Sequence, residues 1–320
     1  MIETILTGLM PVAFGIALGW LAGWTGMLKH ADADVLATLV IRIALPFALF
    51  AGAVHTSPDR LANWGLAFCL AFGLMGSYLI ALAVGRFVFR HDLRTATMQA
   101  LVSAFPDMAY FGAPVLAAMF GPEGFLPVVI GNLITSLLML PLTVVLTSVS
   151  DKREAGHDDV WLIFRHSLFA AVTNPIVFLP VLGAVLSFSH VSLPGPLFVS
   201  ADTIGRAAAG TGLFALGLML YGEPFKINAD VLVNIGIKNF LQPALMALAV
   251  AMLGLSFSSA TAKQAIITGA VPTATAAAMF ALKAKTYTAE ATSTILIGTI
   301  LGIGTAAILM AFLTATPWQP

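Results

Sequence analysis

The sequence predicts an all-α polytopic membrane protein of ten transmembrane helices, arranged as two inverted five-helix repeats with broken crossover helices in the fourth and ninth positions. Three observations predict it. Apolar segments of about 20 residues recur from end to end, each long enough to cross a hydrocarbon core about 30 Å thick. Basic residues fall almost wholly on one side of the layout these segments impose. A single long polar stretch near the midpoint divides the segments five and five. Composition agrees: of 320 residues 59% are apolar and 9% charged, with a mean hydropathy of +0.96, against about 25% charged in a soluble domain.

The first span is expected over residues 5–24. Glu3 stands where a signal peptide would have a positive n-region, and the apolar run is long, so the segment reads as a membrane span. The second, 35–54, carries Arg42 four residues before Pro46. The third, 65–89, contains the single cysteine, Cys69, which excludes an internal disulfide and any multi-cysteine metal site. The fourth and fifth cover 98–120 and 125–147. The polar stretch 148–160 follows, with Asp151, Lys152, Arg153, Glu154, Asp158 and Asp159. The remaining five are expected at 170–188, 198–221, 231–255, 265–282 and 293–314. A first repeat over 1–150, a linker over 151–164 and a second repeat over 165–320 follow from this spacing.

Charge placement tests the layout independently of hydropathy. Lys29, Arg86, Arg90, Arg94, Lys152, Arg153, Arg165, Lys226, Lys283 and Lys285 share one side, and only Arg60 and Lys263 fall on the other. By the positive-inside rule both termini lie outside and the central loop lies in the cytoplasm. An odd number of spans per half requires any structural repeat to be inverted across the membrane. With fifteen acids against fifteen bases, nothing points to nucleic acid as a partner.

Two spans are poor helix material. The fourth contains Phe105-Pro106-Asp107, then Tyr110-Phe111-Gly112-Ala113-Pro114; the ninth contains Val271-Pro272-Thr273-Ala274-Thr275. Backbone can unwind at membrane depth only where protein or a water-filled cavity covers it. A matched pair of interrupted spans marks a transporter binding site, where half-helix N-termini offer N–H groups and positive dipole ends to an anion. The alternative is a pair of proline kinks that shape packing. A carboxylate at this depth costs about 2.5–3.5 kcal/mol unless paired, protonated or hydrated. Asp107 therefore reads either as a proton or cation acceptor, or as one member of an ion pair with Arg42 or Lys238. Arg42 suits a carboxylate of substrate or protein. Lys238 lies near a span end, where it can snorkel, and with Asn239 and Gln242 it could line an inner vestibule. Asp202 and Arg206, four apart, form a helix-neighbour pair. No HExxH, GxSxG or phosphate-binding glycine loop occurs, so an enzyme is not expected.

These residues resemble the auxin efflux carrier family, including its bacterial malonate transporters. The resemblance rests on Leu45-Pro46-Phe47, Tyr110-Phe111-Gly112-Ala113-Pro114, Asn174-Pro175, Ala215-Leu216-Gly217, Gln242-Pro243 and Val271-Pro272, in that order along the spans. It implies scaffold and transport domains, elevator-like alternating access, and a crossing marked by Pro114 and Pro272. It also implies residence in the bacterial inner membrane among lipid, and allows a homodimer. The family usually has Asn where this sequence has Asp107.

The expected activity is proton-coupled secondary transport of a small organic anion, a malonate-like dicarboxylate. Substrate-binding candidates are Arg42, Pro46, Asp107, Tyr110, Gly112, Pro114, Gln242, Pro272, Thr273 and Thr275, with Asp107 carrying ion coupling. No cofactor or metal is expected, and the coupling ion is H+ with Na+ left open. A sodium-coupled carrier of larger anions such as bile acids or aromatic carboxylates, and a passive anion channel, are the alternatives.

Overall fold

The computed structural model describes residues 2–55, 62–155, 165, 169, 173, 175–191, 193–221, 226–274 and 276–315. Among them helix is the dominant structure, and the one extended pairing is a single antiparallel bridge between Pro106 and Thr273. Helix α1 spans Ile2–Trp24. The second span comprises α2 (Asp32–Leu39), a π-turn (Val40–Ala44) and α3 (Leu45–His55). The third is α4 (Trp64–Ala83) with a closing π-turn. The fourth is α5 (Leu93–Ala104), a break, a π-turn (Met108–Gly112) and α6 (Ala113–Phe120). The fifth comprises α7 (Phe125–Ile134), a π-turn (Thr135–Met139) and α8 (Leu140–Ala155).

The second half repeats the plan. It has α9 (Pro175–Phe188), α10 (Gly195–Leu220), then α11 (Ala229–Gly236), a π-turn (Ile237–Leu241) and α12 (Gln242–Met252). The ninth span is α13 (Ala260–Gly269), a break and α14 (Ala276–Lys283), and the tenth is α15 (Thr288–Ala315). Four helical stretches are long and apolar enough to cross a membrane by themselves: Trp64–Val88, Phe125–Thr147, Ala229–Met252 and Thr288–Leu313. Residues 151–155 continue α8, while 156–164 lie outside the described residues.

Side-chain caps start matching spans in both halves. The Leu66 amide donates to Asn63 Oδ1 at 2.9 Å and the Val231 amide to Asn228 Oδ1 at 3.0 Å, opening spans three and eight. The Thr95 amide donates to Asp92 Oδ1 at 2.6 Å and the Ala262 amide to Ser259 Oγ at 3.2 Å, opening spans four and nine. Each cap satisfies one of the orphan donors of a first helical turn.

Packing obeys the same symmetry and sorts the helices into two bundles. In one, α1 lies on α10, and its counterpart pair, α3 on α9, lies beside it. In the other, α4 contacts α5 and α12, and α12 contacts α13, so spans three, four, eight and nine interlock, with α7 and α15 against them. Small residues set the spacing in the first bundle. A Cβ on Gly19 would stand 1.9 Å from the Phe214 carbonyl oxygen, and one on Gly217 would stand 1.9 Å from that of Ile16. No side chain fits at either place, and the backbones meet directly, as small-residue contacts in lipid allow.

The crossing of the two broken spans

The two broken helices meet through their backbones. The Asp107 amide donates to the Pro272 carbonyl at 2.8 Å, and the Ala274 amide to the Phe105 carbonyl at 2.9 Å, on either side of the Pro106–Thr273 bridge. Each break holds a proline without an N–H, so the partner chain supplies the pairing that a helix would have supplied. The resemblance implied Pro114 and Pro272 at the crossing. Pro272 is there, opposite Asp107, while Pro106 bridges Thr273 and Pro114 lies beyond the crossing, within the first turn of α6. Proline there removes one N–H from the ladder of the continuous stretch Met108–Phe120, directly after the π-turn where that ladder is already irregular.

Three of the carbonyls at the end of α5 are paired. Leu101 accepts from the Phe105 amide, Val102 accepts from Thr273 Oγ1 at 2.9 Å, and Ala104 accepts from Gln242 Nε2 at 2.9 Å. Gln242 also donates to Ser77 Oγ at 2.7 Å and accepts from Lys238 Nζ, so its side chain is a fully buried brace. At the end of α13 the Gly269 carbonyl lies 3.4 Å from Lys238 Nζ. The ammonium thus sits where the negative C-terminal ends of two half-helices converge. Lys238 is 1% exposed. The snorkelling expected from its position near a span end does not occur.

Asp107 is 3% exposed, and its carboxylate is near enough to Lys238 for the two charges to interact. It precedes the π-turn that starts the second half-helix, and its carbonyl accepts from the Gly112 amide at 2.9 Å. The two charges therefore flank the crossing, the cation serving helix C-termini and the carboxylate preceding an N-terminus.

Arg42 stands elsewhere. It is exposed on the π-turn of the second span, which packs on α10 in the other bundle, and Pro46 is buried one turn later. Gly112 is buried, and a Cβ there would meet the Asp107 carbonyl oxygen at 3.3 Å and Val271 Cγ2 at 3.4 Å, a close contact on both broken spans. Thr273 is 2% exposed and its hydroxyl is committed to Val102. Tyr110 lies on the π-turn, and Thr275 lies outside the described residues. Asp202 and Arg206 pair as their spacing suggested, at 2.7 Å.

A second polar chain escaped the sequence reading. His91 Nε2 lies 2.7 Å from Asp230 Oδ1, to which Tyr287 OH also donates at 3.1 Å. Asn234 Nδ2 donates to Tyr287 OH at 3.0 Å and to Thr294 Oγ1 at 3.1 Å, and Ser103 Oγ donates to Asn234 Oδ1 at 2.9 Å. The chain ties the end of α5 to α11 and α15. Burial is the main cause that pushes the Tyr287 phenol up. The legible signal was spacing: Asn234, Lys238 and Gln242 are four apart. In a regular helix they would drift by about 40° per step. The π-turn at Ile237–Leu241 holds more residues per turn and brings them back to one face.

Comparison with known proteins agrees with this architecture. The model of a family described as membrane transport protein matches residues 4–310. The uncharacterized transporter YfdV of Escherichia coli is 24% identical over 319 residues, covering 98% of this chain and 99% of YfdV. A Rhizobium meliloti protein that carries the provisional name of a malonate transporter is 26% identical over 305 residues, covering 94% of this chain and 93% of its own. The sodium/proton antiporter MjNhaP1 of Methanocaldococcus jannaschii superposes with a TM-score of 0.51 at 15% identity. That match covers 95% of this chain and 92% of the antiporter, a likeness of fold. The family and the two relatives are transporters and not enzymes.

Proposed function

Because this chain belongs to the membrane transport protein family, the auxin efflux carrier family of the resemblance, we propose that it is a secondary active carrier of a small organic anion. The substrate is a malonate-like dicarboxylate, moved with protons by an elevator-type motion in the bacterial inner membrane, with both termini outside. The observation that carries this reading is the antiparallel crossing, with Asp107 and Lys238 buried on its flanks. The Rhizobium relative supports the choice of malonate.

Charge arithmetic supplies the mechanism. With Asp107 ionised, Lys238 and the carboxylate offset one another, and a second carboxylate at the half-helix N-termini meets a like charge. With Asp107 protonated, the ammonium and the positive helix ends are left in excess, and the neutral carboxyl can donate a hydrogen bond. Proton binding and anion binding then favour each other by the same factor, as linkage requires. Coupling free energies of this kind are about 1–3 kcal/mol, or about 5- to 150-fold in affinity. Arg42, exposed on the other bundle, belongs in this scheme to the wall past which the crossing moves.

Counterflow of radiolabelled malonate in proteoliposomes, with and without a pH gradient, tests the proposal. Saturable exchange accelerated by inward acid is the expected result. Asp107→Asn should keep exchange and lose its pH dependence; wild-type rate and pH profile in that variant would sink the coupling scheme. No exchange by folded protein would reject malonate as the substrate.

A further inference from the structure

Asn132 lies in the fifth span, on α7 three residues before the π-turn at Thr135–Met139. It is 7% exposed, and its Nδ2 has no hydrogen-bond partner among the described residues. A donor left unmet in a protein interior costs about 1–3 kcal/mol, and hydrocarbon offers nothing to relieve it. Its backbone is not in deficit, because the Asn132 carbonyl accepts from Thr135 Oγ1 at 3.0 Å. The shortfall is confined to the side-chain N–H.

Its position gives that shortfall a meaning. A Cβ on the neighbouring Gly131 would stand 2.4 Å from Met108 Cε, so α7 is pressed against the first residue of the Met108–Gly112 turn. That turn and α6 form the continuous half-helix that starts directly after the crossing, and its first amide, that of Met108, donates to the Pro106 carbonyl at 2.9 Å. The early N–H groups of such a helix lack intrahelical acceptors. The side chain with the unmet donor thus sits one residue from a contact with the helix start where an anion is expected. Buried Thr135 and Ser136 follow it, an uncommon run of hydroxyls for mid-span.

We propose that Asn132 is a substrate contact, its Nδ2 donating a hydrogen bond to a carboxylate oxygen of the transported anion. This inference rests on the organic-anion reading above. A neutral amide adds a directed donor without adding charge. It therefore selects among carboxylates by the placement of the oxygen, while Asp107 and Lys238 set the charge that the site accepts.

The test is carboxylate-dependent thermal stabilisation of the purified protein, paired with counterflow kinetics, using malonate and acetate as probes at fixed pH. Wild type is compared with Asn132→Ala and Asn132→Asp. Half-saturation by malonate should rise about tenfold or more in Asn132→Ala, the loss expected for one hydrogen bond to a charged acceptor. Asn132→Asp should be weaker still at neutral pH, because it sets a carboxylate against a carboxylate. Unliganded Asn132→Ala should melt at or above wild type, whereas Asn132→Asp places a carboxylate at membrane depth and should melt lower, so it is judged by half-saturation alone. Wild-type half-saturation in a folded Asn132→Ala protein overturns the inference, and the donor is then satisfied by an ordered water. If the alanine variant does not fold, Asn132→Ser replaces it and must show intermediate weakening; wild-type half-saturation there overturns the inference equally. A wild type that responds to neither probe and exchanges neither defeats the organic-anion reading itself, and this contact falls with it.

Discussion

Replacing Lys238 by methionine would deprive the Gln242 Oε1 acceptor, the Gly269 carbonyl and the Asp107 charge of the ammonium they share. Removing one partner of a buried charge pair costs about 3–5 kcal/mol, largely because the other is left uncompensated. Lys238→Met should therefore lower the unfolding midpoint in detergent strongly, and adding Asp107→Asn should restore part of the loss. A double variant no more stable than Lys238→Met would show that the two charges do not compensate each other. Tyr287 gives a separate test at the same scale. Its phenol is pushed up in the folded protein, so the native state holds the proton more tightly than the unfolded chain does. Stability from this group is complete below the unfolded value of about 10 and declines as pH rises above it. Between pH 9 and 11 the wild type should lose stability more steeply than Tyr287→Phe.

Among the elements, the π-turn at Ile237–Leu241 does the most with the least sequence signal. It lets Asn234 reach the end of α5, α15 and Tyr287, while Gln242, eight residues on, braces Ala104. Asn234→Leu would strip the acceptor from Ser103 and the donor from Tyr287 and Thr294. It should destabilise the protein by about 1–3 kcal/mol and speed hydrogen exchange in α5 and the start of α15. Unchanged exchange in α5 would show that the tie bears no strain. The spans themselves were legible, because twenty apolar residues between polar stretches admit few other readings. So were the breaks, since Pro106 and Pro272 are poor helix formers in any setting. The partner of Pro272 was not legible. The resemblance implied Pro114, whereas Asp107, seven residues earlier, lies opposite Pro272, and only the register of the crossing separates the two. The sequence alone leaves Lys238 between snorkelling and pairing with Asp107 for a related reason: distance from a span end does not tell which way a side chain points. The polar chain from His91 joins residues far apart in the sequence, and only the spacing of Asn234 from Lys238 and Gln242 hints at it.

For the whole molecule, the two bundles have different contacts to lose. Within the first, α1 and α10 touch backbone to backbone at Gly19 and Gly217, a contact with no slack. Within the second, the crossing and the Gln242 brace bind spans three, four, eight and nine together. In an elevator motion each bundle moves as one body. Spin-label distances from α1 to α10 should then stay fixed on substrate addition, whereas distances from α1 to α12 should split into two populations. Fixed distances in both cases would defeat the elevator. Gly19→Leu should disrupt the first bundle, since even a Cβ there would overlap the Phe214 carbonyl.

The crossing also has a consequence for how the chain is made. The carbonyls of Val102 and Ala104 and the amide of Asp107 find their partners at Thr273, Gln242 and Pro272, more than a hundred residues later in synthesis. While the ribosome is still extending the second half, the first half sits in or beside the translocon with an open helix end and an acid at mid-membrane. It must be sheltered there by insertion machinery, by water, or by a protonated Asp107. A first half expressed alone should be cleared by membrane proteases, and co-expression of the second half from a separate message should rescue it. The crossing that completes both broken spans in the finished protein is, during biogenesis, a debt that only the last spans discharge.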